Sequence, residues 1–353
     1  MKMFAKERFL GIDFGTESIK AVELGVRGGQ LYVANYGEAL LFDGQGKHSS
    51  SRSLREEIAV RFRALLESMH PETDEVCISM PSFLGLISLI DFPAMTEAEL
   101  QEAVQFEARK YIPSPLEDVA LSWEKLRDIV DTIDPKKNKT EVLLVAALNK
   151  DVHQYEGYVS MVDFKMKLLE LETFSITRAL AESEPDPVLI MDIGARAANI
   201  ILVEDGFPKK SRNIDSGGRD VTRTLSESLN ISIDRADEMK KSGKDFLNAK
   251  DIAIIFPPIE TVVSEAKRMI VSWEEKRPDR KVKKVILSGG TAKLIGLVQY
   301  AEQRLGVPVV IGNPWEDISY PTELEGKIVS LGAAFSVAIG LALFGTGPGP
   351  DKR

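Results

Sequence analysis

The sequence predicts an α/β protein of about two domains, built on a strand-turn-strand unit that occurs twice. In the first unit Phe9, Leu10 and Ile12 lead into Asp13, the chain turns at Gly15, Thr16 and Glu17, and Ser18 to Leu24 runs back as a strand. The second repeats the form, with Val188 to Met191, then Asp192, a turn at Gly194, Ala195 and Arg196, and Asn199 to Val203 returning. The chain length of 353 residues fits this reading, since domains of ~150 residues each are the usual division.

The elements follow in order. A third strand at Gln30 to Tyr36, after the Gly28-Gly29 turn, completes an antiparallel meander. The polar run from Asp43 to Ser53 reads as a loop. Helical spacing of Ile58, Phe62, Leu65 and Leu66 then predicts a helix from Leu54 to Met69, with strands at Glu75 to Met80 and Leu84 to Phe92. Composition shifts at Pro93. Thr96 with Glu99 has the spacing of a capping box, opening a helix that Pro113 and Pro115 stop. Strands at Val119 to Leu126 and Glu141 to Leu148 flank a polar loop at Asp128 to Thr140, and a helix runs on to Val162, so residues 93 to 165 read as a small inserted α/β unit. A strand at Phe164 to Glu172 and a helix at Ser175 to Ser183 precede the Glu184 to Pro187 linker. The second meander turns at Asp205-Gly206. Ser216 to Gly243 is mostly helical, Thr261 to Glu275 is a helix, and Val282 to Ser288 is a strand that ends in Gly289-Gly290. A helix at Leu294 to Leu305 and a strand at Val307 to Ile311 follow.

Composition bounds the function. With 44% hydrophobic and 28% charged residues the chain is an ordinary globular protein. Its net charge of −9 disfavours nucleic acid and anionic bilayers, so membrane association is expected to run through a protein partner. Cys77 is the only cysteine and sits in an apolar strand, which excludes an intrachain disulfide and fits a reducing compartment. His48, His70 and His153 lack metal-ligand spacing. Met1 to Arg8 has no apolar core long enough for a signal peptide. The uncharged stretch from Ile328 to Phe344 is at the lower limit for a membrane span. Its small residues Gly332, Ala333 and Ala334 favour a helix packed against backbone inside a domain, so no direct span is expected.

The paired turns carry the chemistry. A glycine lets backbone amides approach a ligand closely, and the amides after Gly15 and Gly194 can form a concavity for phosphate oxygens. An aspartate at a strand end can hold the water shell of Mg²⁺, which assigns that role to Asp13 and Asp192. Lys20 either reaches a phosphate or is a solvated strand lysine. Gly289, Gly290 and Thr291 lie where bare backbone can meet a nucleoside, and Gly217-Gly218 is a close-approach site or a simple turn. Glu265 and Arg268 share a helix face and either contact ribose and adenine or form an intrahelical ion pair.

The order Asp13-x-Gly15-Thr16, Asp192-x-Gly194, Gly289-Gly290 and the Gly332-Ala333-Ala334 helix resembles the actin-like ATPase superfamily. Gly11 to Leu24, Leu89 to Leu100, Phe106 to Leu116 and Leu305 to Pro314 narrow the resemblance to its FtsA-like branch and the PilM family of type IV pilus assembly. The resemblance covers nearly the whole chain. It implies an actin-like (ribonuclease H-like) two-lobed fold with duplicated mixed-sheet cores. Residues 8–92 with 166–185 would make one core subdomain and 186–215 with 281–345 the other. Residues 93–165 would be the FtsA-like insert, 216–280 a subdomain over the nucleotide base, and 346–353 a disordered tail. ATP and Mg²⁺ would lie between the lobes, with phosphates held by Gly15, Thr16, Glu17, Lys20, Gly194 and Ala195, and the nucleoside by Gly217, Gly218, Glu265, Arg268, Gly289, Gly290 and Thr291. Any ATPase activity would be slow, with Glu172 the candidate base. The expected partner is the cytoplasmic N-terminal segment of a PilN-like inner-membrane protein, alongside other pilus assembly proteins and a possible homo-oligomer. This places the chain in the cytoplasm, peripheral to the inner membrane. Phe106, Arg109, Tyr111 and Ile112 mix aromatic, cationic and apolar character as a peptide-binding edge does. The family's Pro-Gly at the end of the adenosine loop is replaced here by Leu294-Ile295-Gly296. The rival readings are a component of a type II secretion machine and a sugar-kinase-type phosphotransferase.

Overall fold

The computed structural model describes residues 7–41, 54–129, 134, 138–248 and 254–347. The expected loop at 43–53, the middle of the polar loop before Thr140 and the tail from 348 lie outside them. The first meander is β1 (Arg8–Phe14), β2 (Ser18–Arg27) and β3 (Gln30–Leu40). Helix α1 (Leu54–Met69) follows, then β4 (Glu75–Met80), which lies parallel to β1 with Asp13 beside Ser79.

Strand β5 (Gly85–Pro93), α2 (Glu97–Ala108), β6 (Val119–Ile129) and β7 (Lys139–Leu148) form the insert. The capping box at the start of α2 is formed, with the Glu99 amide donating to the Thr96 hydroxyl and the Thr96 amide to the Glu99 carboxylate. Two expected boundaries move. β5 pairs with β7 and so belongs to the insert, which begins at 85. Helix α3 (Asn149–Ser160) instead packs Tyr155, Tyr158 and Val159 against Phe14 and Phe62 of the first lobe.

Strand β8 (Lys165–Leu171) and α4 (Glu172–Leu180) close the first half. The second meander, β9 (Val188–Ile193), β10 (Ala198–Glu204) and β11 (Phe207–Ile214), turns at Asp205 and Gly206, both with positive φ as a tight hairpin requires. Helices α5 (Gly218–Leu229), α6 (Ile233–Lys241) and α7 (Pro257–Lys276) lead to β12 (Lys284–Ser288), α8 (Leu297–Leu305), β13 (Val309–Ile311), β14 (Ile318–Ser319) and α9 (Glu325–Thr346). α8 starts later than expected because Gly290–Lys293 forms a 3₁₀ turn and Gly296 takes a left-handed φ.

Among the described residues the strands form sheets in the orders β14-β3-β2-β1-β4-β8, β11-β10-β9-β12-β13 and β5-β7-β6. The first two repeat one plan, an antiparallel meander whose first strand takes a parallel neighbour on its other side. Helices α4 and α9 pack on each other, and each also touches strands of both large sheets. A shared core of Cys77, Ile176, Val188, Ile190, Ile201, Ile286, Val337 and Leu341 joins the lobes there. The Cys77 thiol is pushed up to about 12 by burial, so it is inert. Gly340 lets α9 lie directly on the Ser175 carbonyl, where any side chain would collide. α9 has the length and apolar character of a membrane span, yet 61% of its most apolar window is buried inside the protein, as its small residues predicted. The segment from Trp315 to Ile328 and part of α9 side with the first lobe, while Ala333, Val337 and Leu341 of α9 also pack on the second. β14 pairs with β3, and Trp315, Ile318, Ile328 and Phe335 pack on Val22 and Leu24, which corrects their expected assignment to the second.

Candidate nucleotide site

Asp13 and Asp192 end the central strands of the two large sheets, and the turns that follow them face one cleft of about 220 Å³. The turns are geometrically alike. A side-chain carbon on Gly15 would meet the Ser18 carbonyl at 2.9 Å, and one on Gly194 would meet the Ala197 carbonyl at 3.0 Å, so both turns close on the carbonyl three residues ahead. The likeness extends to the neighbouring parallel strands, where Ser79 lies beside Asp13 and Ser288 beside Asp192. The Ser79 hydroxyl donates to Asp13 at 3.2 Å.

Of the sequence-predicted residues, Asp13, Gly15, Thr16, Glu17, Lys20, Glu172, Asp192, Gly194, Ala195, Gly289 and Gly290 line this cleft. Gly217 and Gly218 instead support the second turn from behind, the Gly218 amide donating to the Gly194 carbonyl at 2.9 Å and the Arg219 amide to the Ala195 carbonyl at 2.8 Å. Thr291 does the same, its hydroxyl 3.3 Å from the Gly194 carbonyl. These three residues thus hold the second turn in place and lie outside the cleft lining. Glu265 sits outside the cleft lining, between Arg212 at 2.8 Å and Arg268 at 2.6 Å, which is the ion-pair reading of that helix face.

The sequence reading missed Ser18, Glu38, Pro81, Phe83, Asn199 and Asn213, all in the cleft wall. Asn199 had a signal available, since it faces Asp192 across its hairpin as Lys20 faces Asp13. Its amide donates to the Ser82 hydroxyl at 2.7 Å and the Thr173 hydroxyl at 3.2 Å, bonding the lobes at the cleft floor. The others come from separate elements and have no local signature.

The electrostatics are lopsided. Among the described residues, five carboxylates, Asp13, Glu17, Glu38, Glu172 and Asp192, line the cleft against one amine, Lys20, whose nitrogen is 4.0 Å from Asp13. Burial, followed by the charges of Asp192 and Asp13, pushes Glu172 up to about 8, although the Ser82 amide donates to it at 3.0 Å. Burial and then the Asp13 charge push Asp192 up to about 6, and burial also raises Asp13. Such a cleft disfavours a bare anion and favours a cation, or an anion that arrives with one. Among the described residues no three acidic, histidine or cysteine side chains converge to ligate a metal directly.

Residues 11–346 match the family model described as type IV pilus assembly protein PilM. The chain belongs to the PilM family. It is similar to a PilM structure solved as the PilM-PilN type IV pilus biogenesis complex, with TM-score 0.77 and 24% identity over 96% of this chain and 99% of that one. It is also similar to the ethanolamine utilization protein EutJ of Carboxydothermus hydrogenoformans, with TM-score 0.53 and 15% identity over 97% of this chain and 91% of that one. The MamK double helical filament gives TM-score 0.52 and 13% identity over 97% and 99%. These likenesses show the fold, the actin-like two-lobed α/β arrangement.

On the PilM-family insert, the four residues expected at a peptide-binding edge separate. Phe106 is 65% exposed, Tyr111 is 42% exposed, and Arg109 is also exposed at the end of α2. Ile112 is buried with Leu100, Val104 and Val142 and belongs to the insert's core.

Proposed function

We propose that this PilM-family chain is an ATP-binding scaffold of type IV pilus assembly, holding nucleotide between its lobes and a partner peptide on its insert. The observation that carries the nucleotide is the pair of like turns facing one cleft above buried carboxylates. Gly15, Thr16, Gly194 and Ala195 present backbone to phosphates, Lys20 adds a positive charge, and Gly289-Gly290 offers bare backbone to the nucleoside. Mg²⁺, held through water by Asp13 and Asp192, would offset the acidic lining and neutralise phosphate charge. Positive charge beside these aspartates would lower Glu172 toward its ionised form, in which it can accept a proton. Glu172 is therefore the residue to test for slow hydrolysis.

The partner is the cytoplasmic N-terminal segment of a PilN-like inner-membrane protein, a reading supported by family membership and by the PilM-PilN complex among similar structures. It would hold the chain at the cytoplasmic face of the inner membrane. The family match leaves the secretion-machine and sugar-phosphotransferase alternatives without support. Lobe closure on ATP would present or hide the peptide edge.

The test is the nucleotide retained after incubation with Mg-ATP, compared between wild type and Asp192→Ala. Stoichiometric retention by wild type and its loss in the variant is the expected result. Equal dissociation constants for the two would sink the site assignment.

A further inference from the structure

The shortage of positive charge in the cleft raises the question of what else meets a polyphosphate. Glu17 lies in the first turn and lines the cleft, but an ionised carboxylate has no hydrogen to donate to a phosphate oxygen and repels its charge. It engages the guanidinium of Arg219 instead, a residue next to the cleft but outside its lining. Arg219 belongs to the other lobe, on the first turn of α5, and its backbone amide is fixed to the Ala195 carbonyl of the second turn at 2.8 Å. One residue is thus tied by its backbone to one phosphate turn and by its side chain to the other.

We infer that Arg219 is a polyphosphate-binding residue of this site, parked on Glu17 and transferred to the nucleotide when phosphates enter between the turns. The inference rests on the nucleotide reading above. Three features support the transfer. The pair is exposed, with side chains 41% and 39% accessible, and exposed ion pairs are weak enough to exchange partners cheaply. The Arg219 backbone is anchored, so its side chain moves without disturbing the turn. A guanidinium also binds phosphate in a two-pronged geometry that a lone lysine lacks. Glu17 accordingly holds and orients Arg219, in place of the phosphate contact expected of it.

The experiment measures dissociation constants for ATP and AMP with Mg²⁺ on the full chain, in wild type, Arg219→Met and Glu17→Gln, with melting temperatures as a folding control. Arg219→Met should weaken ATP by about ten-fold while leaving AMP within about two-fold, the loss expected for one charge-assisted contact. Glu17→Gln removes the ion pair that holds the guanidinium and a repelling charge, so ATP should bind several-fold tighter. ATP binding by Arg219→Met within two-fold of wild type, with wild type binding well, overturns this assignment alone. So does a Glu17→Gln variant as weak as Arg219→Met, since the ion pair would then itself build the site. A wild type that binds no nucleotide overturns the nucleotide reading and this inference with it.

Discussion

The Lys209 ammonium lies 2.8 Å from a carboxylate oxygen of Glu141, and the two side chains are 2% and 3% exposed between the insert and the second lobe. Arg127 reaches from the insert to the same glutamate at 3.2 Å and to Asp205 at 3.0 Å, while Arg277 and Arg280 meet Glu204 at 2.9 and 2.8 Å. The insert interrupts the chain of the first lobe, and among the described residues the ion pairs shown between it and a lobe go to the second. Its apolar residues Ile87, Val145 and Ala147 pack on the first lobe's core, so the insert bridges the two.

Removing one member of the buried pair should be costly. Lys209→Met leaves Glu141 buried with Arg127 as its remaining cation, and a loss of about 3 kcal/mol is expected, the low end for breaking a buried pair. Lys209→Met with Glu141→Leu should recover part of it. Urea denaturation of the three proteins measures both effects, and a single variant as stable as wild type would refute the pair's role.

Stability should fall as pH rises through neutrality. Glu172 and Asp192 titrate at about 8 and about 6 in the fold, above their ordinary carboxylate values. The folded state therefore binds more protons than the unfolded chain. The protonated carboxyls contribute fully below the ordinary value of ~4, and that contribution is lost as pH rises to about 6 for Asp192 and about 8 for Glu172. Glu172→Gln should melt above wild type at pH about 8.5, with the gap, of order a few kcal/mol, narrowing toward pH about 5. Melting curves without nucleotide across that range decide it.

Gly289 is held at φ +81, with its amide bonded to the Ala333 carbonyl and a side-chain carbon placed 2.9 Å from the Asp192 carboxylate. Gly289→Ala should cost about 1–3 kcal/mol of stability through strain and crowding. It should weaken Mg-ATP binding as well, because an added carbon would press first on the carbonyl of Ile193, the residue next to Asp192, and then on the Asp192 carboxylate at 2.9 Å. Calorimetry with ATP, set beside a melting curve, separates the two effects.

The exposed edge of the insert gives a fourth prediction. Phe106→Ala with Arg109→Ala should weaken capture of a PilN-type N-terminal peptide by at least about ten-fold and leave nucleotide affinity unchanged, as central aromatic and arginine anchors carry most of a binding energy. Ile112→Ala should instead lower stability, since Ile112 is core. Fluorescence anisotropy with a labelled peptide reads the first effect and thermal melting the second.

The sequence by itself determined the repeated strand-turn-strand units, the turn glycines, the capping box of α2 and the placement of Asp13 and Asp192 at strand ends. Each of these is written in local chemistry, as alternation of apolar residues, a glycine where backbone must turn sharply, or a hydroxyl three residues before a glutamate. Only the tertiary structure decided which sheet owns a strand. β5 reads the same whether it extends the first lobe or pairs with β7, because an apolar run does not name its neighbour. Gly217, Gly218 and Thr291 were legible as a close-approach site, but whether they approach a ligand or the turn at Gly194 depends on packing between distant segments. The Glu17–Arg219 and Glu141–Lys209 pairs were beyond reading for the same reason. A charge finds its partner through the fold, and nothing in its neighbours along the chain records which one.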